Sequence, residues 1–579
     1  MKLTGAQILW ESLIQQGTTV LFGYPGGATL PAYDALVDYT DRIHHVLVRH
    51  EENAALAADA YYRATGRVGV CMATSGPGAT NLVTGLANAM MDSAAVVAIT
   101  GQVASQLVGS DAFQETDVTG VTLPITKHNY LVQDVSELAQ VLAEAFYIAK
   151  SGRPGPVLVD ICKDVQQKST DYTPVTNVQL RGYRAIKPFG KQDTRRLLVE
   201  ASEMIDHAKK PVILAGQGIK HGQAHEEFKT FVEKSGIPVA TTLLGIGVLD
   251  EDHPQNLRMM GMHGEAYVNH AIANADLLIA LGMRFDDRVT GNLKMYAKHA
   301  RVIHIDIDAA EIGKNVPADV GIVGNVKDLL PQLTDLIEPK KQERWMEQIN
   351  EWRADTKDHD VMQYDLPDDM LLAPQVIRAI WEETEGNITV CTDVGQHQMW
   401  ETQYFQHRKP NQLITSGGLG TMGYSLPAAI GAKFGRPDDE VWAIAGDGGI
   451  QMATPEMMTI IQEGLDIKIA VINNHYLGMV RQWQELMHGR RYSSVSMVSP
   501  NFVKLAEAYG ICGFRATTVK EAREAIRQAR AHNGPTLIEF VVEQETNVFP
   551  MIQPGKALDE MTRRPVQPAA LGGGMEGLK

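Results

Sequence analysis

At 579 residues the chain has room for about three domains of ordinary size. An apolar fraction of 44% with 21% charged residues describes a globular protein with ample core, and a net charge of −16 argues against a nucleic-acid partner. The four cysteines (Cys71, Cys162, Cys391, Cys512) lack metal or redox spacing and read as small buried hydrophobes in a reducing compartment.

In chain order, apolar runs at 19–22, 43–48, 68–73, 94–100 and 156–161 alternate with helical patterns. The polar stretch 166–192 leads to further apolar strands at 211–215, 276–281 and 301–307. A charged, Trp-containing stretch at 340–369 reads as a connecting helix and linker, and the βα rhythm resumes over 370–550. The uncharged runs 68–91 and 411–432 are broken by Gly, Pro, Ser, Thr and Asn, so no membrane span is expected. The first residues form an amphipathic helix pattern with no signal peptide, which points to the cytoplasm. The expected fold is α/β, with doubly wound parallel-sheet domains at 1–165, 190–338 and 370–550. Residues 551–579 are expected as a C-terminal tail, mobile at its glycine-rich end 571–574.

The chemistry starts at Gly446-Asp447-Gly448 and Asn473-Asn474, with 27 residues from Asp447 to Asn474. The apolar runs 441–445 and 467–472 lead into these two motifs, and Thr454-Pro455-Glu456 between them reads as a helix start. Such a βαβ unit brings both strand ends to one rim of a parallel sheet. Asp447 and Asn474 then share one hard cation, while the bare Gly448-Gly449 backbone faces an anion. A magnesium ion bridging a diphosphate fits. A second constellation follows the run 43–48, where Glu51 opens a helix expected over 52–65. Glycine-rich turns at 23–28 and 74–81 belong to the same rim.

The GDG and NN pair resembles the diphosphate-binding motif of the thiamine-diphosphate enzymes. In that family Asp447, Asn474 and the backbone carbonyl of Tyr476 hold Mg²⁺, and a glutamate at the position of Glu51 hydrogen-bonds N1′ of the cofactor's aminopyrimidine. A narrower resemblance rests on Asp111-Ala112-Phe113-Gln114-Glu115-Thr116, on Arg284-Phe285-Asp286-Asp287-Arg288-Val289-Thr290-Gly291, on Val394-Gly395-Gln396-His397 and on Met479-Val480-Arg481-Gln482-Trp483. These segments, within a likeness spanning residues 3–562, are similar to the catalytic subunit of acetohydroxyacid synthase (the biosynthetic acetolactate synthase).

The resemblance implies a transferase that decarboxylates pyruvate and passes the two-carbon unit to pyruvate or 2-ketobutyrate. That reaction opens branched-chain amino acid biosynthesis. The implied cofactors are thiamine diphosphate, Mg²⁺ and FAD. The implied partners are a homodimer or homotetramer and a separate regulatory small subunit. Val394, Gly395, Gln396, His397, Gly420, Met422, Gly446, Gly448, Gly449 and Met479 would bind thiamine diphosphate, Met422 propping its bent conformer. Gly27, Phe113, Gln114, Lys163, Arg288 and Trp483 would surround substrate, with Arg288 a planar fork for the acceptor carboxylate. Flavin contacts would come from Arg153, Gly216, Gly218, Thr241, Leu243, Met262, His263, Gly264, Gly282, Arg284, Asp306 and Ile307. Relatives usually have glycine at Gln217 and aspartate near Asn325.

Other readings remain open at this stage. Residues 418–423 match G-x-G-x-x-G, as in a nicotinamide dehydrogenase, without the first-βα placement that class needs. A flavin-binding paralogue without catalysis would be expected to have lost Glu51 or Asp447. Glyoxylate carboligase lacks the glutamate equivalent to Glu51, and oxalyl-CoA decarboxylase lacks the Trp483 and Phe113-Gln114 context.

Overall fold

Strand Val96–Gln102 is buried at all seven positions, as strands covered on both faces by helices require. The same unbroken burial recurs at Gly69–Ala73, Val157–Cys162, Pro211–Ala215, Leu277–Leu281 and Ile467–Asn473. The chain is known from a computed structural model that describes residues 1–186, 192–359 and 370–564. The expected glycine-rich end 571–574 lies outside the described residues, as do parts of the stretches 166–192 and 340–369.

The first sheet follows a short strand β1 (Lys2–Thr4). It is built from β2 (Val20–Gly23), β3 (His44–Leu47), β4 (Gly69–Ala73), β5 (Val96–Gln102), β6 (His128–Val132) and β7 (Val157–Cys162), after which β8 (Ser169–Asp171) pairs antiparallel with β1. Its order is β3-β2-β4-β5-β7-β6, parallel throughout. The second sheet has β9 (Pro211–Ala215), β10 (Val239–Thr241), β11 (Asn256–Met259), β12 (Leu277–Leu281), β13 (Arg301–Asp306) and β14 (Val320–Val323), in the order β11-β10-β9-β12-β13-β14. The third has β15 (Thr389–Thr392), β16 (Leu413–Thr415), β17 (Val441–Gly446), β18 (Ile467–Asn473), β19 (Cys512–Ala516) and β20 (Thr536–Val541), in the order β16-β15-β17-β18-β20-β19. The expected α/β fold of three parallel sheets is met. The first and third sheets share one strand order, whereas the second has the 3-2-1-4-5-6 order of dinucleotide-binding folds.

These sheets fall into two compact units. Residues 1–187 and 367–546 build one, and residues 188–366 with 547–579 build the other. In the first unit, helix Glu51–Thr65 packs on helix Ser425–Gly435. A Cβ at Gly431 would stand 2.0 Å from the carbonyl of Ala57, so only glycine lets the two backbones come this close. Thirteen of the helix's fifteen residues are consequently buried, Asp59 and Arg63 among them. Arg63 is satisfied there by Asp59 (2.6 Å), Asp92 (2.9 Å) and the carbonyl of Thr415 (2.7 Å).

Two expectations change in the second unit. Helix Glu343–His359 is more than a connector, because Trp345 is buried and its indole N–H donates to the carbonyl of Pro211 at 3.1 Å. The tail expected from 551 is packed as far as its described residues reach. Ile552 and Leu558 enter this unit's core and Met551 pairs with Thr562, since their apolar side chains gain by leaving water. No helix among the described residues is long and apolar enough to cross a membrane.

Candidate active site

In an open parallel sheet, ligands bind beyond the carboxyl ends of the strands where the strand order reverses. In the third sheet that point lies between β15 and β17, which end at Asp393-Val394-Gly395 and Gly446-Asp447-Gly448. A pocket opens there. It is lined by Val394, Gly395, Gln396, His397, Met422, Gly446, Asp447, Gly448, Gly449, Asn474, Tyr476, Gly478 and Met479, with Trp400, Ile472, Leu477 and Val480 completing the wall. All three expected cation ligands and all the expected diphosphate contacts except Gly420 therefore face one cavity. Gly420 lies in the adjoining loop, its N–H donating to Ser416 Oγ at 3.1 Å.

The pocket is crowded enough to demand its glycines. A Cβ at Gly448 would meet Leu477 at 2.9 Å and Met497 at 3.2 Å, and one at Gly449 would meet Asp393 at 2.5 Å. The helix expected to start at Thr454 already begins at Asp447. Thr454-Pro455 is instead the break between helices Asp447–Ala453 and Glu456–Gln462, and no threonine cap forms. Proline has no N–H to continue the helical ladder, which explains the break.

Asp447 is almost wholly buried, with Ser499 Oγ donating to it at 3.0 Å. Burial pushes its carboxyl up to about 6, a cost that a bound cation would relieve. His397 is held neutral, its imidazole lowered to about 4 by burial. Its Nε2 is buried without a hydrogen-bond partner. Asn474 accepts from the N–H of Tyr476 at 3.1 Å, which fixes the turn presenting the Tyr476 carbonyl.

The rim of the first sheet gathers a second group. Helix Glu51–Thr65 starts one residue earlier than expected, because His50 caps it through Nδ1. Glu51 is buried and accepts from Asn81 Nδ2 at 2.9 Å, and a Cβ at Gly78 would approach its Oε1 to 3.2 Å. Gly27 follows β2, Phe113 and Gln114 follow β5, and Lys163 follows β7, so all four occupy this carboxyl rim. Gln114 has a positive φ of 60° beside Gly76, and Phe113 is 88% exposed. Arg153 precedes β7 and lies off this rim, its Nε donating to Ser93 at 2.9 Å. Trp483, on helix Gly478–His488, is half-buried and is not part of the pocket wall.

In the second unit the order reverses between β9 and β12. Gly216, Gly218, Thr241, Leu243, Met262, His263, Gly264, Gly282, Arg284, Asp306 and Ile307 all stand at or just beyond carboxyl ends of its strands. Gly216 and Gly218 press on Gly282, whose φ is +55°; a Cβ at Gly216 would stand 2.2 Å from the Gly282 carbonyl. Thr241 Oγ1 is buried with no partner. Arg288 sits on helix Asp287–Thr290, 60% exposed, 3.4 Å from Asp287 and 3.7 Å from the Met262 sulfur.

Three family descriptions match along the chain: thiamine pyrophosphate enzyme N-terminal TPP binding domain at 3–121, central domain at 198–333, and C-terminal TPP binding domain at 393–540. The chain is 48% identical to an acetolactate synthase of Mycobacterium bovis over 97% of its own length and 91% of that protein's. Identity to the acetolactate synthase large subunit of Corynebacterium glutamicum is 47%, over 96% and 89% of the two chains. For the large subunit of Pyropia yezoensis it is 45%, over 96% and 95%. The chain belongs to the acetolactate synthase family.

Within that family of thiamine-diphosphate enzymes, the donor set fits the expected groups. A diphosphate would meet the unpartnered Nε2 of His397 and the bare glycine backbone, and a hard cation the oxygens of Asp447, Asn474 and Tyr476. A flavin nucleotide fits the second unit, whose strand reversal, glycine contacts and unpartnered Thr241 are those of a nucleotide crevice. Of the two departures in that unit, Asn325 caps helix Val326–Leu336, its Oδ1 accepting from the N–H of Lys327.

Sequence reasoning missed two acids of this acetolactate synthase site. Asp393, wholly buried, accepts from the N–H groups of Val394 (2.8 Å) and Gly423 (2.9 Å) and from Ser425 Oγ (3.0 Å). It thereby ties the pocket's first loop to the loop carrying Met422. Its position ending an apolar strand was the available signal. The second is Glu456, which the sequence presents only as a helix-start acid.

Proposed function

We propose that the chain is a catalytic subunit that decarboxylates pyruvate and joins the remaining two-carbon unit to a second 2-ketoacid. The products are 2-acetolactate from pyruvate and 2-aceto-2-hydroxybutyrate from 2-ketobutyrate. The observation that carries this reading is the single pocket that gathers Asp447, Asn474, Tyr476 and the glycine backbone at the strand reversal. Thiamine diphosphate, when bound, supplies the nucleophilic carbon and the electron sink, leaving orientation and electrostatics to the protein.

Asp447, Asn474 and the Tyr476 carbonyl hold Mg²⁺. Val394 to His397, Gly446, Gly448, Gly449 and Met479 would receive the diphosphate, and Gly420 and Met422 would help hold the cofactor, Met422 propping its bent conformer. Glu51 exchanges a proton with N1′ of the aminopyrimidine. Gly27, Phe113, Gln114 and Lys163 close around substrate, and Arg288 takes the acceptor carboxylate. FAD would occupy the second unit's crevice. The enzyme works in the cytoplasm beside a regulatory small subunit.

The protein acts as a homodimer or homotetramer. Glu51 does not line the Asp447 pocket, and one cofactor needs both, so a second copy supplies the missing half. The exposed apolar Phe113, Leu419, Met452 and Val480 support such a covering partner. Purified protein incubated with pyruvate, thiamine diphosphate and Mg²⁺ should form acetolactate and show bound flavin in its visible spectrum. Absence of acetolactate overturns the proposal.

Trp483 sets the acceptor preference. One methylene in an apolar pocket discriminates by about 1–3 kcal/mol, roughly 10- to 200-fold. Trp483→Leu should erase most of the preference for 2-ketobutyrate while pyruvate self-condensation continues, read as the product ratio in a mixture of both ketoacids. An unchanged ratio removes Trp483 from that role.

A further inference from the structure

Glu456 is completely buried, yet among the described residues no arginine or lysine side chain hydrogen-bonds to it. Its Oε1 accepts from the backbone N–H groups of Arg49 (2.8 Å) and His50 (3.1 Å) and from Asn53 Nδ2 (3.0 Å). Its Oε2 accepts from Thr459 Oγ1 at 2.6 Å. The nearby Arg49 guanidinium turns away to the carbonyl of Leu47 and to Gln462. The acid comes from the segment just after Asp447, on the third sheet's side of the unit. The donors to its Oε1, at residues 49, 50 and 53, flank Glu51 on the first sheet's side.

Backbone N–H groups ahead of a helix have no intrahelical partner, and a carboxylate is well suited to take them at the positive end of the helix. Charge-assisted bonds of this kind are roughly twice as strong as neutral ones. Three of them converge here on residues 49, 50 and 53, bracketing Glu51. We infer that Glu456 is a positioning residue, fixing the backbone on either side of Glu51 so that the Glu51 carboxylate is aimed. The inference rests on Glu51 being the catalytic acid proposed above.

The test compares Glu456→Ala and Glu456→Gln in the full-length protein. In the cofactor-free form, amide hydrogen exchange at residues 49 and 50 should quicken by about tenfold or more in Glu456→Ala, with the sheets' protection unchanged. After loading, kcat should fall by about 10- to 100-fold while the KM for pyruvate and the affinity for thiamine diphosphate hold, since a small misplacement of a reacting group costs rate rather than binding. Glu456→Gln, whose amide oxygen still accepts the two N–H groups, should recover most of both losses. If Glu456→Ala does not fold, Glu456→Asp decides on the same readouts, because it withdraws the carboxylate by one methylene. Unaltered exchange at 49 and 50, a loss of protection spread evenly over the unit, or an unaltered kcat each overturns the inference. Normal turnover in Glu51→Gln would instead remove the catalytic role of Glu51, and the exchange result would still judge the contact itself.

Discussion

Glu51→Gln should lower acetolactate formation by about 10²- to 10⁴-fold, the range lost when a positioned proton-transfer group is removed. The amide keeps the shape of the side chain and can still meet Asn81 Nδ2, which lies 2.9 Å from the carboxylate. What it loses is the capacity to share a proton with N1′. Flavin content should not change, because those residues belong to the other compact unit. Steady-state kinetics with the visible spectrum of the same sample checks both statements, and turnover near the parent value would reduce Glu51 to a helix-start carboxylate.

Asp447→Ala should weaken Mg²⁺-dependent binding of thiamine diphosphate by at least about 100-fold, since even an outer-shell partner of a metal ligand is worth 10- to 100-fold in affinity. Titration calorimetry with and without the metal reads this directly. The cofactor-free variant should also melt above its parent at pH 8. Burial raises the folded carboxyl of Asp447 from 3.8 to about 6, so the folded state binds its proton more tightly than the unfolded state does. Stability is therefore lost as pH rises through about 4 to 6, and removing the group recovers it. Below about pH 4 the advantage of the variant should fade.

Mixing the two inactive variants tests the assembly. In a dimer whose sites each take Glu51 from one copy and Asp447 from the other, every mixed dimer keeps one intact site. Random exchange makes half of the dimers mixed, so about one quarter of parent activity should return. If each chain used its own pair, the mixture would stay dead.

The most legible parts of the fold are long apolar runs, although half-exposed His44–Leu47 is also legible and short buried Thr389–Thr392 is not. Runs such as Leu277–Leu281 and Ile467–Asn473 are apolar at nearly every position because helices cover both faces of the sheet. Strands of mixed burial, such as His128–Val132 and Cys512–Ala516, carry no such signature and were not anticipated. The metal and diphosphate residues could be read because a βαβ unit places them by local chain geometry alone. Glu456 could not, since its partners at Arg49 and His50 lie more than four hundred residues away in the chain. Nor could the start of the Asp447 helix, where Gly446 offers no capping side chain to announce it.

The unit that carries both Glu51 and Asp447 is assembled from two separated stretches of chain, residues 1–187 and 367–546. On the ribosome the first stretch is finished while the second does not yet exist, and the intervening residues take roughly 10–40 s to synthesise at typical rates. During that interval Ala57, Tyr61 and Thr65 lack the glycine-bearing face of helix Ser425–Gly435 that will cover them. Arg63 meanwhile lacks the Thr415 carbonyl, and Asp92 the amides of Gly417 and Gly418. The nascent N-terminal half must therefore wait with an apolar, Ala-rich helix and an incomplete charge cluster open to water. Exposed apolar surface of this kind makes the interval before the second half arrives the one most open to aggregation.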